Sequence, residues 1–264
     1  MKASPPRLLI LGAGFLGKEV ARQGEAGGWT VFPIVRTEDS ARELSNLFPF
    51  TQAADGLESG FWGGLLGEWG GLVWAMSPSR KVGEGNFEVM HRQGVLLAAE
   101  WAKKNRVPFV YLSSTSVYAE SEGRWVDEAA PTAQEDPRAQ AMVTAEKATL
   151  VAGGSVLRCA GLYGMGRELR MNSGGPERWL NVIHVEDAAR AVGVALRRSG
   201  EVFNTCEDYP LARGTPGGVW DEKSVRNRRS KKVRNMKLRD AGWIPLHRAN
   251  YKREESYEKY SGWG

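Results

Sequence analysis

The chain is poor in residues that build cross-linked or metal-held folds. Only two cysteines, Cys159 and Cys206, occur in 264 residues. They are too few for a disulfide framework and point to a reducing cytoplasm. Neither has neighbours at metal-ligand spacing, and His91, His184 and His247 are scattered, so no metal site is expected. Long apolar runs are also missing. After Lys2 come Pro5-Pro6 and only a short apolar run, too brief for a signal peptide, and no stretch approaches the length of a membrane span. There is no internal repeat and no low-complexity tract.

Acid is missing from one segment. Lys223 to Arg239 holds nine Lys/Arg and no Asp or Glu, in a chain of net charge +5, so the remainder is net negative. Such a run suits nucleic acid, an anionic small molecule, or the solvated face of a small C-terminal lobe. It lacks interleaved aromatics and follows an enzyme-like chain, which argues against nucleic acid.

What is present begins at Leu8-Leu-Ile-Leu-Gly-Ala-Gly-Phe-Leu-Gly17. Four apolar residues in a row read as a strand buried on both faces, as in a parallel sheet. They break into glycines spaced GxGxxG. Gly12 suits the tight turn out of the strand, Gly14 lets backbone approach a pyrophosphate, and Gly17 lets the next helix pack closely. A helix opening near Phe15 and Leu16 would offer free N–H groups and its positive end to phosphates. A plain glycine turn is the alternative.

A second strand, Thr30–Val35, ends at Arg36-Thr37. An acid at this tip would bind the ribose 2′-OH of NAD; a basic residue favours the 2′-phosphate of NADP(H). Glu38 and Asp39 lie just beyond the tip, so Arg36 favours NADP(H) over NAD, unless it is a solvated surface residue.

Further strand-like runs follow at Leu72–Met76, Phe109–Leu112 and Ser155–Arg158, with a short one near Phe50–Ala53. Gly60 to Gly71 reads as a loop. Asn86 to Asn105 fits a long amphipathic crossover helix ending before Pro108. Alternation of this kind predicts an α/β fold: a doubly wound Rossmann-type parallel sheet with a small C-terminal substrate lobe. The nucleotide-binding domain would span 1–160 and the lobe 161–264, with 181–205 returning to the core. Ligands of such sheets sit beyond the strands' carboxyl ends, which adds Ala75, Met76 and Ser77 to the cofactor candidates. Gly161–Gly175 reads as loop, Asn181–Val185 as a short strand, Glu186–Arg197 as a helix and Val202–Thr205 as a last strand.

The strand at Phe109 continues as Val-Tyr-Leu-Ser-Ser-Thr-Ser-Val-Tyr118. With the glycine turn, this resembles extended short-chain dehydrogenase/reductases of the NAD(P)-dependent epimerase/dehydratase type. Asn86…Gly94 resembles their crossover helix, and Leu157-Arg158…Tyr163-Gly164-Met165-Gly166 their "LR…YGPG" segment, with Met165 for proline. Ile183-His-Val-Glu-Asp187-Ala-Ala189 resembles "IHVDD", and Ser230–Trp243 their C-terminal lobe. The resemblance implies a cytoplasmic NAD(P)-binding oxidoreductase or epimerase, a monomer or homodimer, acting on a small, sugar-like or anionic substrate rather than on nucleic acid or membrane.

The resemblance also implies a serine at the strand's end and Tyr-x-x-x-Lys on the next helix, spaced to face the nicotinamide together. Ser114 matches the serine and Lys147 the lysine, but Val143 occupies the tyrosine position, and no tyrosine occurs from Ala119 to Leu162. This resembles an atypical branch of the family, whose members keep the nucleotide fold and alter or lose the catalytic set. Tyr118 is a candidate substitute phenol or a packing residue. Ser114 contacts substrate or only satisfies backbone groups, and Lys147 holds the nicotinamide ribose or is solvated. His184, Asp187 and Ser114 could suggest a hydrolase triad, but no GxSxG elbow surrounds the serine. An NADP(H)-binding sensor without turnover is the competing reading.

Overall fold

In the computed structural model, residues 4–77, 84–169, 178–213 and 230–249 are described. Seven parallel strands form the central sheet: β1 (Arg7–Leu11), β2 (Thr30–Val35), β3 (Gln52–Ala53), β4 (Gly71–Trp74), β5 (Phe109–Ser114), β7 (Ser155–Cys159) and β11 (Val202–Thr205). Their order is β11-β7-β5-β4-β1-β2-β3. The winding direction reverses between β1 and β4, and the crevice at such a switch point is where doubly wound sheets bind ligands. The loops after β1 and β4, which carry Gly12 and Ala75–Ser77, meet at that crevice.

Alternation along the strands supplies two cores. Leu8 and Ile10 of β1 join Val73, Val110, Leu157 and Phe203 on one face. Leu9 and Leu11 join Leu72, Trp74, Phe109 and Tyr111 on the other, as the two-residue period requires. The first face is covered by α1 (Phe15–Ala26) and α7 (Val185–Ala195), the second by α5 (Val95–Asn105) and part of α6 (Pro137–Val151). The covering helices present alanines, Ala188, Ala191 and Ala195 on one side and Ala98, Ala99 and Ala102 on the other. Small residues let helix backbones lie close over large strand side chains.

Several elements differ from the sequence reading. Ser59–Gly63 in the expected loop is a short helix, α3, whose Trp62 indole donates to the Gly56 carbonyl. The crossover helix is interrupted: α4 (Glu84–Val89) passes through a π turn at Met90–Gly94 before α5. Within that turn, His91 and the Tyr111 phenol of β5 share a 2.8 Å hydrogen bond. Gly161–Tyr163, expected as loop, is strand β8, paired in parallel with β10 (Val182–His184). Two further small pairs form, β9 (Arg178–Leu180) with β12 (Leu211–Arg213), and β6 (Trp125–Val126) with β13 (Lys232–Val233). The last described helix is α8 (Met236–Asp240). No described helix is long and apolar enough to cross a membrane.

Burial lowers the pKa of His91 from 6.5 to about 4, so its ring is neutral in the core at neutral pH. In the unfolded chain it takes up a proton near 6.5. Its contribution to stability is therefore present above pH 6.5 and lost as the pH falls toward 4, about 3 kcal/mol over that window. Urea unfolding at pH 7 and 4.5 should show a markedly smaller acid loss in His91→Gln than in the wild type. An identical loss would place the titrating group elsewhere.

Candidate active site

The glycine turn has little steric freedom. Gly12 holds φ +94°, and a Cβ there would lie 2.7 Å from the Met76 backbone. A Cβ on Gly17 would lie 2.0 Å from the Gly12 carbonyl oxygen. The loops after β1 and β4 thus touch through Gly12, and α1 starts against them through Gly17. Gly14 is different. A Cβ there meets nothing within 4 Å, its φ is −77°, and it is the N-cap of α1. No side chain caps α1 and no acid stands in its first turn. The first N–H groups therefore face an open cradle, the arrangement that accepts an anion. Phe15 and Leu16 begin the helix.

At the neighbouring strand tip, Arg36 is exposed and makes no ion pair among the described residues. Thr37 is engaged as the N-cap of α2 (Glu38–Ser45), accepting the Ser40 N–H. Glu38 and Asp39 lie inside that helix, so Arg36 is the charged residue at the tip. Ala75, Met76 and Ser77 follow β4 with rising exposure into the crevice.

Ser114 ends β5 as the N-cap of a 3₁₀ turn, Thr115–Val117. Its Oγ accepts the Ser116 N–H at 3.1 Å, which leaves its own O–H available to donate. Beneath it runs a buried network. Ser113 donates to Glu146 at 2.6 Å, and Arg158 binds the same carboxylate from Nε (3.0 Å) and Nη2 (2.7 Å). The network ties β5 and β7 to α6, the helix that carries Val143 and Lys147. Lys147 is exposed and makes no ion pair with a described residue, whereas Val143, one turn earlier, packs against the apolar core. Nothing in the sequence marked Glu146 and Arg158 as partners, although Arg158 belonged to the "LR" match.

Of the two readings of Tyr118, its burial fits the packing residue. Its side chain is 3% exposed and its phenol donates to Asn204 Oδ1 at 2.6 Å. Burial pushes its pKa up to about 12. The Arg158 guanidinium lies 4.8 Å from its ring centre, so the phenol ties the loop after β5 to β11 instead of standing free as a proton donor. Cys159 is equally inert: burial raises its thiol to about 12.

The triad is not assembled. The carboxylate of Asp187 accepts the Leu246 and His247 N–H groups and pairs with Arg190, while His184 caps α7 by accepting the Glu186 N–H. His184, Glu186 and His247 bring ligand-type atoms within 4.8 Å of one another. Yet His184 accepts at Nδ1, which puts the proton of its neutral ring on Nε2. The two imidazoles also stack at 3.8 Å and 18°, so their in-plane lone pairs run side by side and do not converge as metal ligands must. The cluster is a helix cap and a ring stack.

The first part of the basic run, 223–229, lies outside the described residues. In the rest, Lys231 donates to the Tyr118 carbonyl, Lys232 and Arg234 lie over Trp125, Lys237 pairs with Glu201 and Arg239 with Asp208. These cations are tied into the fold. Arg167, one residue beyond the glycine-rich "YGPG" match, was not marked by the sequence; its guanidinium lies 5.5 Å from the centre of the Phe15 ring.

No family profile matches the chain, and no curated protein matches it either. Solved structures do. A functionally unknown conserved protein from Silicibacter pomeroyi DSS shares 23% identity over 93% of this chain and 95% of that one, with a TM-score of 0.65. UDP-glucose 4-epimerase from Thermotoga maritima, solved with UDP-glucose, shares 18% over 92% and 94%, at 0.75. dTDP-glucose 4,6-dehydratase from Streptomyces venezuelae, solved with NAD and TYD bound, shares 19% over 92% of each chain, at 0.72. The likeness shows the fold: this chain has the α/β Rossmann-type architecture shared by epimerases and dehydratases of solved structure.

Proposed function

We propose that the protein is an NADP(H)-binding oxidoreductase or epimerase/dehydratase-type enzyme of the atypical short-chain dehydrogenase/reductase branch, acting on a small, sugar-like or anionic substrate. The observation that carries this reading is the cradle at the sheet's switch point, where Gly12 and Gly17 admit no side chain and Gly14 leaves space open. In this reading the backbone N–H groups of Phe15, Leu16 and Gly17 hold the pyrophosphate. Arg36, with Thr37 beside it, faces the 2′-phosphate, and Ala75, Met76 and Ser77 line the far wall. The bound dinucleotide would supply or accept hydride at its nicotinamide ring. Lys147 orients the nicotinamide ribose, and the Ser114 hydroxyl donates to a substrate oxygen.

Residues 1–160 form the nucleotide domain in this reading. The segments after 160, apart from the returning 181–205, build the substrate lobe. The neighbouring epimerase and dehydratase structures favour an enzyme. Val143 favours the second reading, an NADP(H) sensor, because it removes the phenol that would move a proton. Consumption of NADPH across a panel of aldehydes, ketones and nucleotide sugars separates the two readings.

Cofactor choice provides the direct test. A charge-assisted contact between Arg36 and the 2′-phosphate is worth about 1.5–3 kcal/mol, so NADPH should bind at least about tenfold more tightly than NADH. Calorimetric titration of Arg36→Asp should show the preference reversed. Equal affinities for the two nucleotides in the wild type would remove the assignment of Arg36.

A further inference from the structure

A pyrophosphate carries two negative charges, while a helix N-terminus offers the equivalent of about half a positive charge. A site that holds it tightly gains from a cation. The hairpin after β8 places one beside α1. Gly164 and Arg167 exchange reciprocal backbone hydrogen bonds of 3.1 and 2.9 Å, closing a tight turn whose tip is the 96%-exposed Met165. The turn is seated on the start of α7: Gly164 has φ +147°, and a Cβ there would lie 2.8 Å from Val185 and 3.2 Å from His184 Nε2. The start of α7 is in turn tied to α1, where Gln23 donates to the Glu186 carbonyl at 3.0 Å. The hairpin is therefore held in place beside α1.

From that hairpin the Arg167 side chain reaches back to the first residue of α1, with its guanidinium carbon 5.5 Å from the Phe15 ring centre. Cation–π attraction at this range orients a guanidinium without neutralising it. Arg167 is exposed and, among the described residues, no carboxylate pairs with it. An unneutralised, planar, multi-donor cation thus stands over the residue whose N–H opens the anion cradle. We propose that Arg167 is a pyrophosphate-binding residue of the dinucleotide site, clasping the bridge from the side opposite the α1 amides. The proposal rests on the dinucleotide reading above and adds to it a contact from the segment after 160. Guanidinium suits the role because its fork meets two phosphate oxygens at once.

The pyrophosphate is common to NADPH and NADH, whereas the 2′-phosphate is not, and this separates Arg167 from Arg36. Titration of both nucleotides, followed by nicotinamide fluorescence, should show Arg167→Gln weakening each by the same factor, about ten- to a hundredfold. Arg167→Lys should recover part of the loss. Adenosine 2′-phosphate lacks the bridge, and its affinity should be unchanged. Thermal unfolding without nucleotide should also be unchanged, since the side chain is exposed. Unaltered NADPH and NADH affinities in Arg167→Gln would overturn the proposal while leaving the dinucleotide reading intact, and so would weakening confined to NADPH. Failure of the wild type to bind either nucleotide would overturn both.

Discussion

Replacing Arg158 by alanine is expected to destabilise the fold by about 3–5 kcal/mol, because it strands the Glu146 carboxylate in the core without its cation. The side chains meet through Nε–Oε1 and Nη2–Oε2 contacts of 3.0 and 2.7 Å, and Ser113 donates to the same carboxylate. Glu146→Ala should cost a comparable amount by leaving the guanidinium unpaired. Replacing both partners by leucine should be less damaging than either single change, since a buried ion pair exchanged for apolar packing is often close to neutral. Urea unfolding of the three variants measures this. Single-variant losses below about 1 kcal/mol would mean that the pair is hydrated and not the clamp described above. The clamp also matters for the site, because it sets α6 against β5 and so fixes Lys147 and Val143 relative to Ser114.

The second large effect falls on binding and spares the fold. Gly14→Asp should abolish dinucleotide binding, with at least about a hundredfold loss, equivalent to about 2.7 kcal/mol. The new carboxylate would occupy the open space at the head of α1 and repel the phosphates. Stability should hold or rise by up to about 1 kcal/mol. Aspartate is a better N-cap than glycine, it removes unfolded-state freedom, and Gly14 already has a backbone conformation open to any residue. Parallel calorimetry and thermal unfolding read the two effects separately. A variant that keeps its affinity would show that the cradle is not where the nucleotide sits. A variant that loses its fold would show that Gly14, like Gly12 and Gly17, admits no side chain.

The features legible in the sequence were those set by local pattern. The four-residue apolar run of β1 and its glycines placed the switch-point turn, and Thr30–Val35 and Val202–Thr205 emerged with the expected bounds. The Tyr-x-x-x-Lys match put Val143 and Lys147 on one helix, and both lie on α6. What the sequence left obscure depends on distant partners. The π turn at Met90–Gly94 coincides with a hydrogen bond between His91 and Tyr111 on another element. β8 is only three residues long and exists through its pairing with β10. Tyr118 stays open between a substitute phenol and a packing residue in the sequence because its partner, Asn204, lies 86 residues away. Arg158 and Glu146 are likewise joined only by the packing of β7 against α6. Arg167 carries no signal in the sequence, since a single arginine after a glycine turn has no periodicity, and its meaning comes from Phe15 across the fold.

In the proposed reading the turn after β1 is a dinucleotide cradle. A crystal structure grown with saturating NADPH tests it most directly. Pyrophosphate oxygens should lie within about 2.7–3.2 Å of the Phe15 and Leu16 backbone nitrogens. The 2′-phosphate should lie at Arg36 and the nicotinamide ribose at Lys147, with Ser114 on the substrate side. An empty cradle under those conditions, or NADPH bound elsewhere on the protein, would contradict it.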